Sequence, residues 1–136
     1  MSSLWLFKTE PSTYSFEDLV RDGRTVWDGV KNPVAQKHLR SAKTGDPVIV
    51  YHTGDVKSAV GLAKVVKDPY PDPRAGDPKL VALDLAADRP LASPVSLAAM
   101  KANRALAGFD LLRLPRLSVV PVDEEQWKTI MEMAGS

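Results

Sequence analysis

The chain is 136 residues long, with 44% hydrophobic and 26% charged residues, the balance of an ordinary folded domain with a sizeable core. Eighteen Lys and Arg against 17 Asp and Glu leave a net charge of +1, which argues against a module that grips nucleic acid by charge alone. No cysteine and only two histidines, His38 and His52, exclude disulfides, thiol nucleophiles and Cys- or His-rich metal sites, so neither a metal nor a cofactor is expected.

The length predicts one domain over residues 1–136. No run approaches the roughly 20 apolar residues of a membrane span, and the N-terminus lacks a basic leader and a long apolar stretch. A cytoplasmic protein without a membrane partner is the expectation. Leu4 to Thr9 reads as a strand, with Trp5, Phe7 and Thr9 on one face and Leu4, Leu6 and Lys8 on the other. Ser15 caps a short helix that Gly23 ends, and Thr25 to Trp27 is a brief β-prone run. Asn32-Pro33 starts a second helix to about Ala42, with Ala35, Leu39 and Ala42 on its apolar face. Val48 to His52 and Ala59 to Lys67 predict a hairpin around Gly54-Asp55. A Pro-rich loop fills residues 68–78, and Leu80 to Leu85 is a further strand. Ser96 caps a helix over Leu97 to Ala102. Phe109 to Leu114 and Ser118 to Val122 read as extended runs, and Asp123 to Gln126 as the capping box of a last helix through Met133. Dispersed helices among several strands give the α+β class, as a curved sheet or small barrel with helices outside.

Charge is uneven along the chain. Lys31, Lys37, Arg40 and Lys43 give residues 31–45 a charge of +4, and residues 101–116 carry +3. The last twenty residues carry −3. The first patch fits either the wet face of an amphipathic helix or a surface that contacts phosphates.

Several segments, in order, resemble the EVE domain family of the PUA-like superfamily. They are Trp5-Leu6-Phe7-Lys8-Thr9-Glu10-Pro11, Tyr14-Ser15-Phe16, and Trp27-Asp28-Gly29-Val30-Lys31-Asn32, where many members have Arg at position 31. Gly45-Asp46, Tyr51-His52, Gly61 with Ala63 and Val65, and Tyr70-Pro71-Asp72 follow. Arg116-Leu117-Ser118-Val119-Val120-Pro121 and Trp127 complete the set, which covers nearly the whole chain. The resemblance implies a PUA-like curved β-barrel with peripheral helices, related to the YTH domains that read methylated adenine in RNA. It further implies binding of a modified base, such as 5-methylcytosine, in DNA or RNA.

A base pocket needs an aromatic or apolar wall and a few polar groups for the base edge. Trp27 is the candidate wall, matching a cage Trp of YTH domains; the alternative is a core Trp. Trp5, Trp127 and His38 read as structural. Lys8 and Thr9 match a Lys-Ser pair of YTH domains, Lys8 facing either the pocket or a salt bridge to Glu10 or Asp28. Asn32 is a cap or a base-edge contact. Tyr51, His52, Tyr70 and Ser118 complete the base-binding candidates, with loop bracing an equal alternative for His52 and a clamp on the barrel side an alternative for Tyr70. Lys31, Lys37, Arg40 and Arg116 are the phosphate-contacting candidates, Arg116 alternatively pairing an Asp.

No Gly-x-Ser-x-Gly elbow, phosphate loop or metal motif is present, so a non-catalytic reader is expected. A related ASCH branch contains an amidohydrolase acting on acetylated cytidine through Lys, Thr and Glu. Here Lys8, Thr9 and Glu10 are consecutive strand residues that alternate between faces, a poor local triad. A protein-interaction module built on the basic helix is the third reading.

Overall fold

Alternation at the N-terminus produces the expected strand β1 (Leu4–Thr9), in a computed structural model that describes residues 3–135. Ser15 then accepts from the Asp18 amide, and Asp18 accepts from the Ser15 amide, a reciprocal box that starts α1 (Phe16–Asp22). Gly23, at φ +75°, stops it and leads into β2 (Arg24–Trp27). The Asn32 side chain accepts from the amides of Val34 and Ala35 to start α2 (Pro33–Ser41). The hairpin of β3 (Pro47–His52) and β4 (Ser58–Pro71) follows, then β5 (Val81–Ser96). Ser96 caps α3 (Leu97–Ala102), and a 3-10 turn over Arg104–Leu106 leads to α4 (Asp110–Arg113). β6 (Val119–Val122) and α5 (Glu124–Met133) close the order, the latter opened by the Asp123–Gln126 box.

Three elements differ from the sequence reading. The strand expected over Leu80 to Leu85 continues as β5 to Ser96, because register shifts let it follow β4 along its whole length. Within the expected extended run of 109–114, residues 110–113 form α4 instead: Asp110 suits a first helical turn, Leu111 is buried, and Pro115 prevents continuation. β4 also runs on through Asp68-Pro69-Tyr70-Pro71. Its pairing with β3 ends at Pro47–Lys64, so beyond that point it is an edge paired only with β5, where a proline need not donate to a ladder.

The six strands form one sheet in the order β2-β5-β4-β3-β1-β6. β1 and β3 run parallel and the other neighbours antiparallel. The expected barrel is therefore not closed: β2 and β6, four residues each, are the two edges and do not pair. The sheet nevertheless curls strongly. The Trp27 ring of β2 lies 5.8 Å from the Phe7 ring of β1, although three strands separate them in the sheet. α2 packs against both β5 and β6, covering the open flank. Leu6, Phe7, Ile49, Leu83, Leu85, Phe109 and Ile130 are fully buried in the enclosed core. Among the described residues no helix is long and apolar enough to cross a membrane.

Candidate functional site

A cavity of about 490 Å³ opens where the curled sheet brings the end of β1 opposite β2. Thr9, Thr13, Tyr14, Thr25, Trp27, Asp28 and Arg74 line it, with Val26. Its volume falls within the roughly 300–1,000 Å³ of small-ligand sites. The two buried tryptophans differ in chemistry. Trp5 donates its indole N–H to Asp46 at 3.0 Å and packs near His38, a structural role as expected. Trp27 is 9% exposed, and its Nε1 makes no hydrogen bond among the described residues. That atom is not among the fully buried ones, so the indole presents an accessible donor where a core Trp normally has a partner.

The walls are anchored by hydrogen bonds. The Thr9 hydroxyl donates to the Tyr14 carbonyl at 2.7 Å, tying the 10–15 segment to the end of β1. The Tyr14 hydroxyl donates to Asp22 at 2.8 Å. Burial, reinforced by Asp22, holds its pKa above the ordinary phenol value against an opposing contact from Thr25. On the far side Asp72, 6% exposed, accepts from the Gly29 amide at 3.0 Å with one oxygen and from the Arg74 amide at 2.8 Å with the other. One carboxylate thus pins the Asp28 segment and the Arg74 loop together. Arg74 and Asp28 also form the wall between this cavity and a neighbouring one of about 240 Å³ that Lys31 helps to line. The loop is braced again where the Arg40 guanidinium donates to the Lys79 carbonyl at 2.6 Å. Gln36, buried in α2, clamps Val81 by bonds in both directions and reaches the Val30 carbonyl.

Of the residues expected to bind a base, only Thr9 and Trp27 meet here. Lys8 lies in a separate cavity of about 170 Å³ with Tyr51, Lys57 and Pro115. Its ammonium donates to the Pro115 carbonyl at 2.8 Å, so it makes neither of the expected salt bridges; burial lowers its pKa. Tyr51 is buried beside it, and burial raises its pKa. Asn32 uses its side-chain oxygen as a helix cap and lines a fourth cavity with Val34, Leu114 and Arg116. Tyr70 clamps strands instead of walling the main cavity: its hydroxyl donates to Asp84, which also pairs with Arg24 at 2.9 Å. Burial and then Asp84 push its pKa up to about 12. The Lys67 ammonium sits 4.5 Å from the Tyr70 ring centroid. Ser118 is half-buried and supplies its backbone carbonyl to the Lys8 amide at 2.9 Å. Lys31, Lys37 and Arg116 are exposed, and Arg116 has no ion partner among the described residues. Arg40 is partly committed to the Lys79 carbonyl. Trp127 packs half-buried against the core.

Thr13, Tyr14, Thr25, Asp28 and Arg74 were missed as lining residues. Tyr14 and Asp28 stand inside two of the ordered motifs and were within reach of the sequence reading. Arg74, in an irregular loop, carried no signal.

His52 takes the loop-bracing alternative. It is 5% exposed, and its Nε2 accepts from the Phe16 amide at 2.9 Å, so the ring is neutral with its proton on Nδ1. Burial lowers its pKa, while the nearby Glu17 and Glu10 act in the opposite sense. A folded value below the unfolded one, about 6.5, means the contact's stability is full above that pH and lost as pH falls through the folded value. Urea denaturation at about pH 7.5 and about pH 5.5 should cost the wild type more stability than His52→Gln. Equal losses in the two proteins would count against this role.

The fold recurs in known proteins. A family model described as the EVE domain matches residues 3–133. A protein from Rhodopseudomonas palustris, solved by NMR, is 41% identical with a TM-score of 0.93, over 98% of this chain and 93% of its own. Curated thymocyte nuclear protein 1 of Homo sapiens is 29% identical over 167 residues, covering 98% of this chain and 74% of its own. The human THYN1 protein, solved in complex with 5-methylcytosine-containing DNA, is 28% identical with a TM-score of 0.86, over 99% of both chains. With residues 3–133 matched, nearly the whole length, the chain belongs to the EVE domain family.

Proposed function

We propose that this chain binds nucleic acid carrying a modified base, holding the base in the Trp27 cavity without transforming it. The observation that carries the reading is the Trp27 wall itself, an aromatic face with an unpaired indole N–H in a cavity of base-accommodating size. Its similarity to a human protein solved with 5-methylcytosine-containing DNA supports the same ligand class. Around the mouth, exposed Arg74 and Lys31, with Lys37 and Arg116 further along the surface, supply cations for phosphates of DNA or RNA. Phosphate contacts carry no base information, so selectivity has to come from the cavity.

A non-catalytic role fits the dispersal of the Lys8-Thr9-Glu10 set. Lys8 faces Pro115, Thr9 faces the cavity, and Glu10 accepts from Ser12. Fluorescence anisotropy with matched oligonucleotides tests the proposal. The wild type is expected to prefer a strand with one modified base by about tenfold. Trp27→Ala is expected to remove that preference with a loss of about 1–3 kcal/mol, the worth of one base stacked on an aromatic ring. Trp27→Phe should retain part of it. Equal binding of plain and modified strands, vanishing together near about 0.2 M salt, would leave only charge and end the proposal.

A further inference from the structure

We infer that Asp28 is the group that reads the base, selecting bases with an exocyclic amine over bases with a carbonyl at the same position. The inference rests on the reading that the Trp27 cavity holds a base. It follows from an accounting of the polar groups in and around that cavity.

Asp28 contributes the only carboxylate lining the cavity among the described residues. An ionised carboxylate accepts hydrogen bonds and donates none. The neighbouring carboxylates have their oxygens occupied. Asp72 holds the amides of Gly29 and Arg74, and Asp22 holds the Tyr14 hydroxyl and the Arg21 guanidinium. Asp28 has one partner, Arg74 Nε, at 3.8 Å, well beyond the roughly 2.7–2.9 Å of a tight charge-assisted bond. Its lone pairs therefore remain open to a ligand.

Position matters as much as availability. Trp27, one residue before, is fixed in register with Leu83 of β5, and Gly29, one residue after, is fixed by Asp72. The carboxylate is thus held at the edge of the Trp27 wall, not carried on a free loop. Its side chain is 29% exposed, so a mismatched group opposite it loses water without gaining a bond. The hydroxyl hydrogens of Thr9 and Tyr14 are committed within the protein, so the donors left in the lining are Thr13, Thr25, the Trp27 indole and Arg74, and Asp28 is the group there that can only accept. An amine of the cytosine or adenine type donates to Asp28. A carbonyl of the thymine or uracil type meets an anion with acceptor facing acceptor.

5-Methylcytosine and thymine share the 5-methyl group and differ along one edge, a 4-amine beside an acceptor N3 in the first and a 4-carbonyl beside an N3–H in the second. Short oligonucleotides with cytosine, 5-methylcytosine or thymine at one position therefore separate the two readings. They are measured as single strands and as duplexes with an abasic residue opposite, so that base pairing does not differ. Wild-type protein is expected to bind the 5-methylcytosine strand about tenfold or more above the thymine strand. Asp28→Asn, whose amide both accepts and donates, should shrink that ratio to about threefold or less while the preference for 5-methylcytosine over cytosine stays. Equal wild-type affinity for 5-methylcytosine and thymine overturns the inference without any variant, and so does an unchanged ratio in Asp28→Asn. Loss of the 5-methylcytosine-over-cytosine preference in wild type would instead strike the modified-base reading, so the two failures are distinguishable.

Discussion

Gly61→Ala is expected to destabilise the protein by about 3 kcal/mol, the upper part of the range for overpacking a core, and to lower Tm by roughly 10 °C. A Cβ at position 61 would overlap the ring of Phe16, which lies directly on the glycine in the first third of β4. Phe16 is buried at the start of α1, and its amide is held by His52, so the ring cannot swing away without dragging the helix start with it. The absence of a side chain at 61 is thus what seats α1 on the sheet, and the Thr13–Tyr14 wall of the cavity is set just ahead of it. Thermal denaturation followed by circular dichroism measures the loss. Adding Phe16→Leu to Gly61→Ala should recover part of it, because the smaller side chain relieves the overlap. A Gly61→Ala protein melting within about 2 °C of wild type would show that the contact is not limiting.

Asp72→Ala is expected to cost about 2–4 kcal/mol, since two amides lose their acceptor and one is drawn from each side of the cavity wall. Asp72→Asn, which keeps a single carboxamide oxygen, should lie between the two. The larger effect is on recognition. Asp28 and Arg74 are positioned through the backbone that Asp72 holds, so affinity for a modified oligonucleotide should fall by more than about tenfold as the wall must be ordered on binding. Amide hydrogen exchange provides the local check: Gly29 and Arg74 should lose protection in Asp72→Ala while the core strand β3 keeps it. Unchanged protection at both amides would rule out the staple.

Local chemistry was readable from the residues. Ser15, Asn32, Ser96 and Asp123 were recognised as helix caps, and each makes the side-chain bond to a first-turn amide that the assignment requires. The alternation of residues 4–9 correctly separated Lys8 from Thr9, with Thr9 in the main cavity and Lys8 in another. Grouping those two as one binding pair overrode the period-2 rule that the strand obeys. α4 escaped because Phe109 caps it without a side-chain bond and it is only four residues long. The failure of the barrel to close could not be read locally either, since it depends on how far two short edge strands stand apart. Arg74 enters the site through Asp72, two residues before it in a Pro-rich loop where neither helical nor strand periodicity operates.

If the cavity takes a base as proposed, the curl of the sheet couples ligand binding to the stability of its edge. β2 is a four-residue edge whose only strand partner is β5, so it ranks among the segments expected to open most easily. Across the cavity stands β1, secured between β3 and β6. A molecule gripped between Trp27 and Thr9 fastens the loose flank to the secured one without any strand-to-strand hydrogen bond. Opening of β2 then requires release of the ligand, and occupancy protects the β2 amides in proportion to concentration over Kd. The gap left where a barrel would have sealed is in this sense a seam, stitched by whatever occupies the cavity.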